Sequence, residues 1–156
     1  MNICDVPMGL LLAHQPPIRM IDRGMAVLGN GVICESQIRT DHMFLTPAGV
    51  PAYVAVEYMA QAIGVFDGWH RYLHGQSPRI GYLVGTRELK LNCDSFVVGQ
   101  VLDIEARLAW DGNSLLQFRC CTRDRATNAE LATAMLNVYS PGQMDVDGGA
   151  HLEGKE

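Results

Sequence analysis

Residues 54–66 constrain the fold more than any other segment, because apolar side chains surround them on every side. These apolar residues are Val54, Ala55, Val56, Met59, Ala60, Ala62, Ile63, Val65 and Phe66. The spacing predicts a helix from about Pro51, where proline is tolerated in a first turn, to about Leu73, with Gly75 as a C-terminal stop. A helix that is apolar all round must be buried all round. In a small, strand-rich chain, a sheet has to bury the surface of this helix.

The rest of the chain predicts strands joined by short turns. We expect strands over residues 18–28, 32–39, 79–93, 101–109, 115–123 and 131–139. Gly29-Asn30-Gly31 is a hairpin signal, since glycine and asparagine tolerate a positive φ. Short connections make neighbouring strands antiparallel. The predicted class is therefore α+β, with a curved antiparallel sheet wrapped around one long central helix.

Length and composition predict one folded domain. The 156 residues are 48% apolar and 19% charged, which is enough apolar material for a core. We expect a single domain over residues 1–141 and a flexible, polar tail over residues 142–156. No apolar run reaches the roughly 18 to 20 residues of a membrane span, and the N-terminus lacks a secretory signal pattern.

Five cysteines indicate a reducing compartment. They lie at Cys4, Cys34, Cys93, Cys120 and Cys121, without a C-x-x-C pair. Adjacent Cys120 and Cys121 should point to opposite faces of a strand, which disfavours a disulfide between them. We therefore expect free thiols in a cytoplasmic protein.

The charge pattern bears on the partners of the chain. A formal net charge of −5 and the lack of a basic stripe with interleaved aromatics argue against nucleic acid. Arg71, Arg79, Arg87 and Lys90 lie near one another in the sequence. They either form a local patch for an acidic partner or act as ordinary solubilising charges.

The predicted helix carries a carboxylic acid, Glu57, and His42 lies shortly before the helix. An isolated buried carboxyl costs several kcal/mol unless it is neutralised or hydrogen-bonded. A carboxyl and an imidazole in apolar surroundings are what acid–base removal of water requires. Gln61 follows at i+4, so it either bridges to Glu57 or to a substrate, or only satisfies backbone groups.

Other histidines are weaker candidates. His70 lies thirteen residues beyond Glu57, about 220° around a regular helix, and should not share its face. No two histidines or carboxylates have the spacing of metal ligands, and no nucleotide-binding fingerprint is present. We expect neither a metal nor a bound cofactor.

Three segments carry a resemblance to a known family. Residues 11–23, 51–62 and 82–102 resemble the opening motif, the helix motif and the following strand and turn of 3-hydroxyacyl-(acyl-carrier-protein) dehydratases. Residues 68–71 and 85–89 resemble a narrower branch, the dehydratase-like proteins of aryl polyene lipid biosynthesis.

The resemblance implies a hotdog fold and a set of roles. His42 would be the general base, Glu57 the acid or the holder of the water, and Gln61 a substrate-binding neighbour. Backbone N–H groups at the helix start near Ala52 would bind the thioester oxygen. His14, in the opening motif, would be structural.

The resemblance also implies partners. The substrate would arrive on the phosphopantetheine arm of an acyl carrier protein, so no free cofactor is needed. A lone hotdog sheet exposes an edge strand with unpaired backbone groups, and those groups are satisfied when two such edges pair. We expect a homodimer, or a pair with a related dehydratase subunit, whose active sites take the base from one chain and the acid from the other.

One departure leaves alternatives open. The family histidine lies fourteen residues before the helix glutamate, and that position is Met43 here. Either the loop has an extra residue and His42 still reaches the site, or the base is lost. The alternatives to dehydration are acyl thioester hydrolysis and a non-catalytic, acyl-binding dehydratase-like subunit. The retained Glu57 and Gln61 oppose the last of these.

Overall fold

The computed structural model describes residues 1–140. The predicted domain end at residue 141 and the predicted tail over residues 142–156 lie outside the described residues. No helix within the described part is long and apolar enough to cross a membrane.

One long helix packs against a large antiparallel sheet. The helix is α1, Ala55–Leu73. The strands are β1 (Arg23–Leu28), β2 (Gly31–Gln37), β3 (Val50–Pro51), β4 (Tyr82–Leu91), β5 (Ser95–Phe96), β6 (Val101–Gly112), β7 (Leu115–Asp124) and β8 (Glu130–Tyr139). Short 3-10 helices cover Ile3–Asp5, Met8–Leu10 and Ala52–Val54. Six strands form one sheet in the order β1-β2-β6-β7-β8-β4, with every neighbour antiparallel. The predicted α+β arrangement is confirmed.

The helix is less completely buried than its composition predicts. It begins at Ala55, after the 3-10 turn, and ends before Gly75, whose φ of 69° fits a C-terminal stop. Tyr58, Met59, Ala62 and Val65 are fully buried. A stripe on another side is only half-buried: Glu57, Ala60, Gly64 and Asp67. The expectation of burial all round is therefore wrong along this stripe, which borders a cavity instead of the sheet.

The first strand starts later than predicted. Residues 16–18 form a turn, and the N–H of Met20 bonds a side chain of the helix instead of a neighbouring strand. On β2, the predicted inward face is confirmed, since Val32, Cys34 and Ser36 are all buried. No pattern in the sequence indicates the two-residue pair β3–β5, in which Val50 lies opposite Phe96.

The segment before β1 lies along α1 and fixes the position of His14. Leu11 and Leu12 are buried in the core. A Cβ on Gly68 would lie 1.7 Å from the carbonyl oxygen of Leu11, so only glycine allows this close approach. The chain then continues to His14 beside the first turns of α1.

Strand β4 is one edge strand of the sheet, and β1 is the other. The only strand neighbour of β4 in the described chain is β8, and β4 exposes a row of apolar side chains: Tyr82, Leu83, Val84, Leu89 and Leu91. Unpaired apolar edges favour association with another strand.

Candidate active site

Glu57 lies in the first turn of α1 with its side chain 41% exposed in the single chain. Its Oε1 accepts a hydrogen bond of 2.9 Å from Nε2 of Gln61, as the i+4 spacing predicts. The carboxyl is therefore oriented by the helix that carries it, with the rest of the group open to the neighbouring space.

Gln61 is fully buried, and the geometry shows both roles that the sequence allowed. Its Oε1 accepts the N–H of Met20 at 2.8 Å, and its Nε2 donates to the carbonyl of Ile18 at 2.9 Å as well as to Glu57. Three partners on two elements fix the amide in one orientation. Gln61 thus both satisfies backbone groups and holds the carboxyl.

Glu57 borders a cavity of about 360 Å³ between α1 and the sheet. Much of the wall is apolar, including Leu12, Ala60, Ile63, Phe66, Leu108 and Phe118. The volume falls in the range of small-molecule sites, and an apolar wall with few polar groups is typical of them. A carboxyl on such a wall can exchange a proton with a bound acyl chain.

His14 lies beside Glu57, although its place in the opening motif predicted only a structural role. Its Nε2 lies 3.9 Å from Oε1 of Glu57 in the same cavity. Its Nδ1 is buried without a hydrogen-bond partner among the described residues. Its place in the opening motif was the available signal, but only the packing of that segment on α1 shows the proximity.

His42 lies on the other side of the helix, in a separate depression with Asp22 and Arg39. Its Nδ1 accepts the N–H of Phe44 at 3.1 Å, and its Nε2 lies 2.8 Å from the hydroxyl of Tyr58. An Nδ1 that accepts carries no proton, so the neutral ring is protonated at Nε2 and donates to Tyr58. Burial lowers the pKa of His42, and Asp41 partly opposes that shift. The imidazole is therefore kept neutral, as a base must be.

A series of hydrogen bonds connects the side of α1 that faces His42 with the side that carries Glu57. Tyr58 is fully buried, and burial raises the pKa of its phenol to about 12. Its hydroxyl bonds to the side chain of Ser36, which donates at 2.5 Å to the carbonyl of Met20. The N–H of Met20 bonds to Gln61. His42 and Glu57 of one chain are thus joined through buried polar groups, although they face different spaces.

Ala52 does not offer the free donor that was expected. Its N–H donates to the carbonyl of Asp94 at 3.0 Å, because the 3-10 turn brings it against the loop before β5. The predicted donor group at this position is already engaged in the described chain.

Two further expectations change. His70 lines the same cavity as Glu57, because that cavity covers a wide arc of α1 and not a single face. Two of the four basic residues that lie close in the sequence are engaged within the chain: Arg79 pairs with Asp67, and Arg71 donates to the carbonyl of Ser77. Among the described residues, no three histidine, cysteine, aspartate or glutamate side chains are grouped as metal ligands.

Comparison with known proteins gives a family and a fold. The model of the ApeP-like family, described as ApeP dehydratase, matches residues 6–147. The dehydratase heterocomplex ApeI:P from Xenorhabdus doucetiae contains a chain that is 30% identical, with 92% of this chain and 96% of that chain covered and a TM-score of 0.80. No functionally curated protein matches the sequence.

More distant structures are similar in fold alone. The protein smu.793 from Streptococcus mutans UA159, bound to acetyl CoA, is 15% identical over 81% of this chain and 94% of that chain, with a TM-score of 0.57. A hypothetical thioesterase from Streptococcus pneumoniae TIGR4, with coenzyme A, is 10% identical over 74% and 82%, with a TM-score of 0.56. Together these likenesses confirm the predicted hotdog fold.

Proposed function

Because the chain belongs to the ApeP-like dehydratase family, which acts in aryl polyene biosynthesis, we propose that it dehydrates 3-hydroxyacyl thioesters carried on an acyl carrier protein. The product would be a trans-2-enoyl thioester. The observation that carries this proposal is Glu57, which is held by Gln61 on the wall of an apolar cavity. The carrier-protein part comes from the family resemblance.

The elimination needs one proton removed and one supplied. A base takes the C2 proton of the acyl chain, the C3–O bond breaks, and Glu57 in its acid form protonates the departing hydroxyl to give water. A bound acyl chain would displace water from the apolar cavity around the reacting atoms. Gln61 keeps the carboxyl aimed at the reacting hydroxyl throughout.

His42 is the proposed base, and Nδ1 is its reactive atom. The Nε2–H is held by the buried hydroxyl of Tyr58, so Nδ1 keeps the lone pair and exchanges the N–H of Phe44 for the substrate proton. The hydroxyl then steadies the imidazolium that forms. Helix N–H groups beyond Ala52 would bind the thioester oxygen, since that of Ala52 itself is engaged.

His42 and Glu57 of one chain face different spaces, so a complete site requires a second subunit. The exposed apolar edge β4 supports pairing of two hotdog sheets into one. We propose that β4 meets the same edge of a second copy or of a related dehydratase subunit; the similar X. doucetiae structure is a heterocomplex. The five free cysteines support the predicted cytoplasmic location.

Two observations favour a second candidate function. Both ring nitrogens of His42 are engaged within its own chain, and its position is offset by one residue from the family histidine. A non-catalytic subunit that binds the acyl chain for an active partner would have these features. Hydrolysis of the thioester has no comparable support here.

An assay with a 3-hydroxyacyl carrier protein tests the proposal, with the chain alone and with a related dehydratase subunit. Enoyl product supports dehydration, and free acid points to hydrolysis. Glu57→Gln should lose at least about two orders of magnitude in rate, as expected for a missing proton donor. Glu130→Gln, an exposed carboxyl away from the cavity, is the control.

His42→Ala separates the catalytic reading from the binding one. If His42 is the base, its loss abolishes turnover, while His74→Ala, at an exposed histidine, has no effect. Full dehydratase activity in His42→Ala would show that the partner supplies the base. Gel filtration of each mixture gives the oligomer in which activity occurs.

A further inference from the structure

Arg39 lines the same depression as His42, the residue proposed as the base. The two are joined by one turn of chain, in which the N–H of His42 donates to the carbonyl of Arg39 at 3.2 Å. The carboxylates of Asp22 and Asp41 line this depression as well. The guanidinium and the imidazole are therefore held beside one space, which a substrate must enter to reach Nδ1 of His42.

Asp22 holds the guanidinium of Arg39 in place. Nη1 of Arg39 donates to Oδ1 of Asp22 at 2.9 Å, and Oδ2 of the same carboxylate accepts the N–H of Gln37 at 2.7 Å. The hydrogen bond to Asp22 raises the pKa of Arg39 above its usual value, so the group stays charged. Because the carboxylate is anchored to the backbone at the end of β2, the guanidinium is oriented before a substrate binds.

Most of the donors of Arg39 remain available to a ligand. A guanidinium carries five N–H groups, and those on Nε and Nη2 have no hydrogen-bond partner among residues 1–140. The side chain is 53% exposed. The charge also acts on Tyr58, the partner of His42: burial raises the pKa of Tyr58 to about 12, and Arg39 opposes that rise. Arg39 can thus donate to an atom next to the His42–Tyr58 pair.

The proposed reaction needs such a donor at the thioester oxygen. When His42 removes the C2 proton, the electrons of the C–H bond move onto this oxygen. They return when the C3–O bond breaks and Glu57 protonates the departing hydroxyl. The N–H of Ala52, which the resemblance implies as a donor, is engaged by the carbonyl of Asp94. The helix start therefore supplies fewer donors than the resemblance implies.

We propose that Arg39 donates to the thioester oxygen and stabilises the negative charge that develops there while the C2 proton is removed. It acts beside the helix N–H groups beyond Ala52. A hydrogen bond from a cation to an oxyanion is stronger than one to a neutral carbonyl, so Arg39 stabilises the transition state more than the bound substrate. The proposal rests on the proposed function, since His42 as the base sets where the oxygen lies.

Arg39→Ala tests this role in the assembled protein, with both a carrier-bound and a free pantetheine 3-hydroxyacyl thioester as substrates. We expect kcat to fall about a hundredfold on both, with KM within about threefold. Arg39→Lys keeps the charge but loses the planar fork, so it should lose about tenfold. Arg23→Ala is the matched control: Arg23 also pairs with a carboxylate, is 50% exposed, and should be dispensable for the rate.

Chemical rescue separates a catalytic role from a structural one. Free guanidinium at millimolar concentration should raise the kcat of Arg39→Ala severalfold and leave the unaltered protein and Arg23→Ala unchanged. The urea midpoint of Arg39→Ala should change no more than that of Arg23→Ala. A loss of rate that followed a loss of stability, without rescue, would overturn the proposal.

Deuterium exchange at C2 isolates the step in which Arg39 acts. A saturated acyl pantetheine thioester has no 3-hydroxyl group, so it can lose and regain a C2 proton but cannot eliminate water. In deuterated water the unaltered protein should incorporate deuterium at C2, and Arg39→Ala should slow this exchange about a hundredfold. Glu57→Gln should keep the exchange, because the acid acts only on the departing hydroxyl.

The outcomes distinguish this proposal from the previous one. Enoyl product and C2 exchange at full rate in Arg39→Ala would reject the role of Arg39 alone. A loss confined to KM for the carrier-bound substrate would also reject it and make Arg39 a contact for the carrier protein. Exchange that depends on Arg39, without enoyl product from either substrate, would reject dehydration and leave the role of Arg39 standing. Neither exchange nor product from the unaltered protein would reject both.

Discussion

Glu57 and Tyr58 are neighbours in α1, yet they belong to contrasting surroundings. The carboxyl of Glu57 is half-exposed on a cavity wall and is held by one side chain. The phenol of Tyr58 is fully buried and holds His42 on the far side of the helix. Successive helical residues point about 100° apart, so one helix serves two separate spaces.

The contrast teaches how one subunit can contribute to two sites. The open side leaves a proton donor accessible to a ligand, while the closed side fixes an imidazole by burying its partner. The two sides share a buried connection through Ser36, Met20 and Gln61. Changes at the centre of that connection should affect both sides, and changes at its ends only one.

The largest effect is expected at the centre, from Gln61→Leu. The substitution leaves the N–H of Met20 and the carbonyl of Ile18 without their partner. Each unpaired buried group costs about 1–3 kcal/mol in the free energy of unfolding. Urea denaturation measures the loss, and turnover should fall as well because Glu57 is no longer held.

Gln117→Leu is the matched control, since its half-buried amide makes one bond to the side chain of Asn137. We expect a loss of about 1 kcal/mol or less there. Equal losses in the two variants would show that the buried connection is not a stabilising unit.

Tyr58→Phe should act mainly on the closed side. The ring is kept, but the Nε2–H of His42 and the hydroxyl of Ser36 lose a buried partner, at a cost of about 1–3 kcal/mol. We expect kcat/KM to fall about tenfold because the imidazolium is less well held. Tyr53→Phe, at a tyrosine that is 65% exposed, should change neither quantity. A wild-type rate in Tyr58→Phe would separate Tyr58 from the base.

The sequence predicts local features of these two sides well. The spacing of apolar residues predicts α1, and the i+4 spacing predicts the contact of Gln61 with Glu57. The alternation in β2 gives its buried face, including Ser36. Each of these depends on residues close together in the chain.

Contacts between segments that are distant in the sequence could not be predicted from local patterns. The bond from His42 to Tyr58 depends on how the loop before α1 folds back, and the approach of His14 to Glu57 depends on Gly68 admitting the backbone of Leu11. The pairing of Arg79 with Asp67 likewise needs the chain to return along the helix. No local periodicity encodes such approaches.

The pH dependence sharpens the contrast further. Because burial lowers the pKa of His42, the decrease of kcat/KM on the acid side should begin only below pH 6.5, the usual pKa of histidine, as the pH drops through the lowered pKa of His42. Folding favours the neutral form of His42, so this group also makes the free energy of unfolding depend on pH. The stabilisation is therefore complete above about pH 6.5 and is lost as the pH falls through the lowered pKa.

A pH–rate profile and denaturation at several pH values measure both quantities. Serine at position 42 (His42→Ser) should remove the pH dependence of stability that this group contributes. An acid limb centred above pH 6.5 in the unaltered protein would contradict the assignment of the limb to a buried His42.

The smallest effect is expected at His14, on the open side. Its Nε2 is 3.9 Å from Oε1 of Glu57 and both side chains are partly exposed, so their interaction is worth about 1 kcal/mol or less. His14→Leu also removes the buried Nδ1 that has no partner in the described chain, so stability should be unchanged or slightly higher. We expect kcat/KM to fall about 2- to 5-fold nonetheless, because Glu57 loses its polar neighbour in the cavity. His14→Gln keeps a polar side chain there and should restore the rate, whereas His74→Leu should affect neither quantity. A fall in rate that tracked a fall in stability, without rescue by glutamine, would assign His14 to packing and leave Gln61 as the residue that alone positions Glu57.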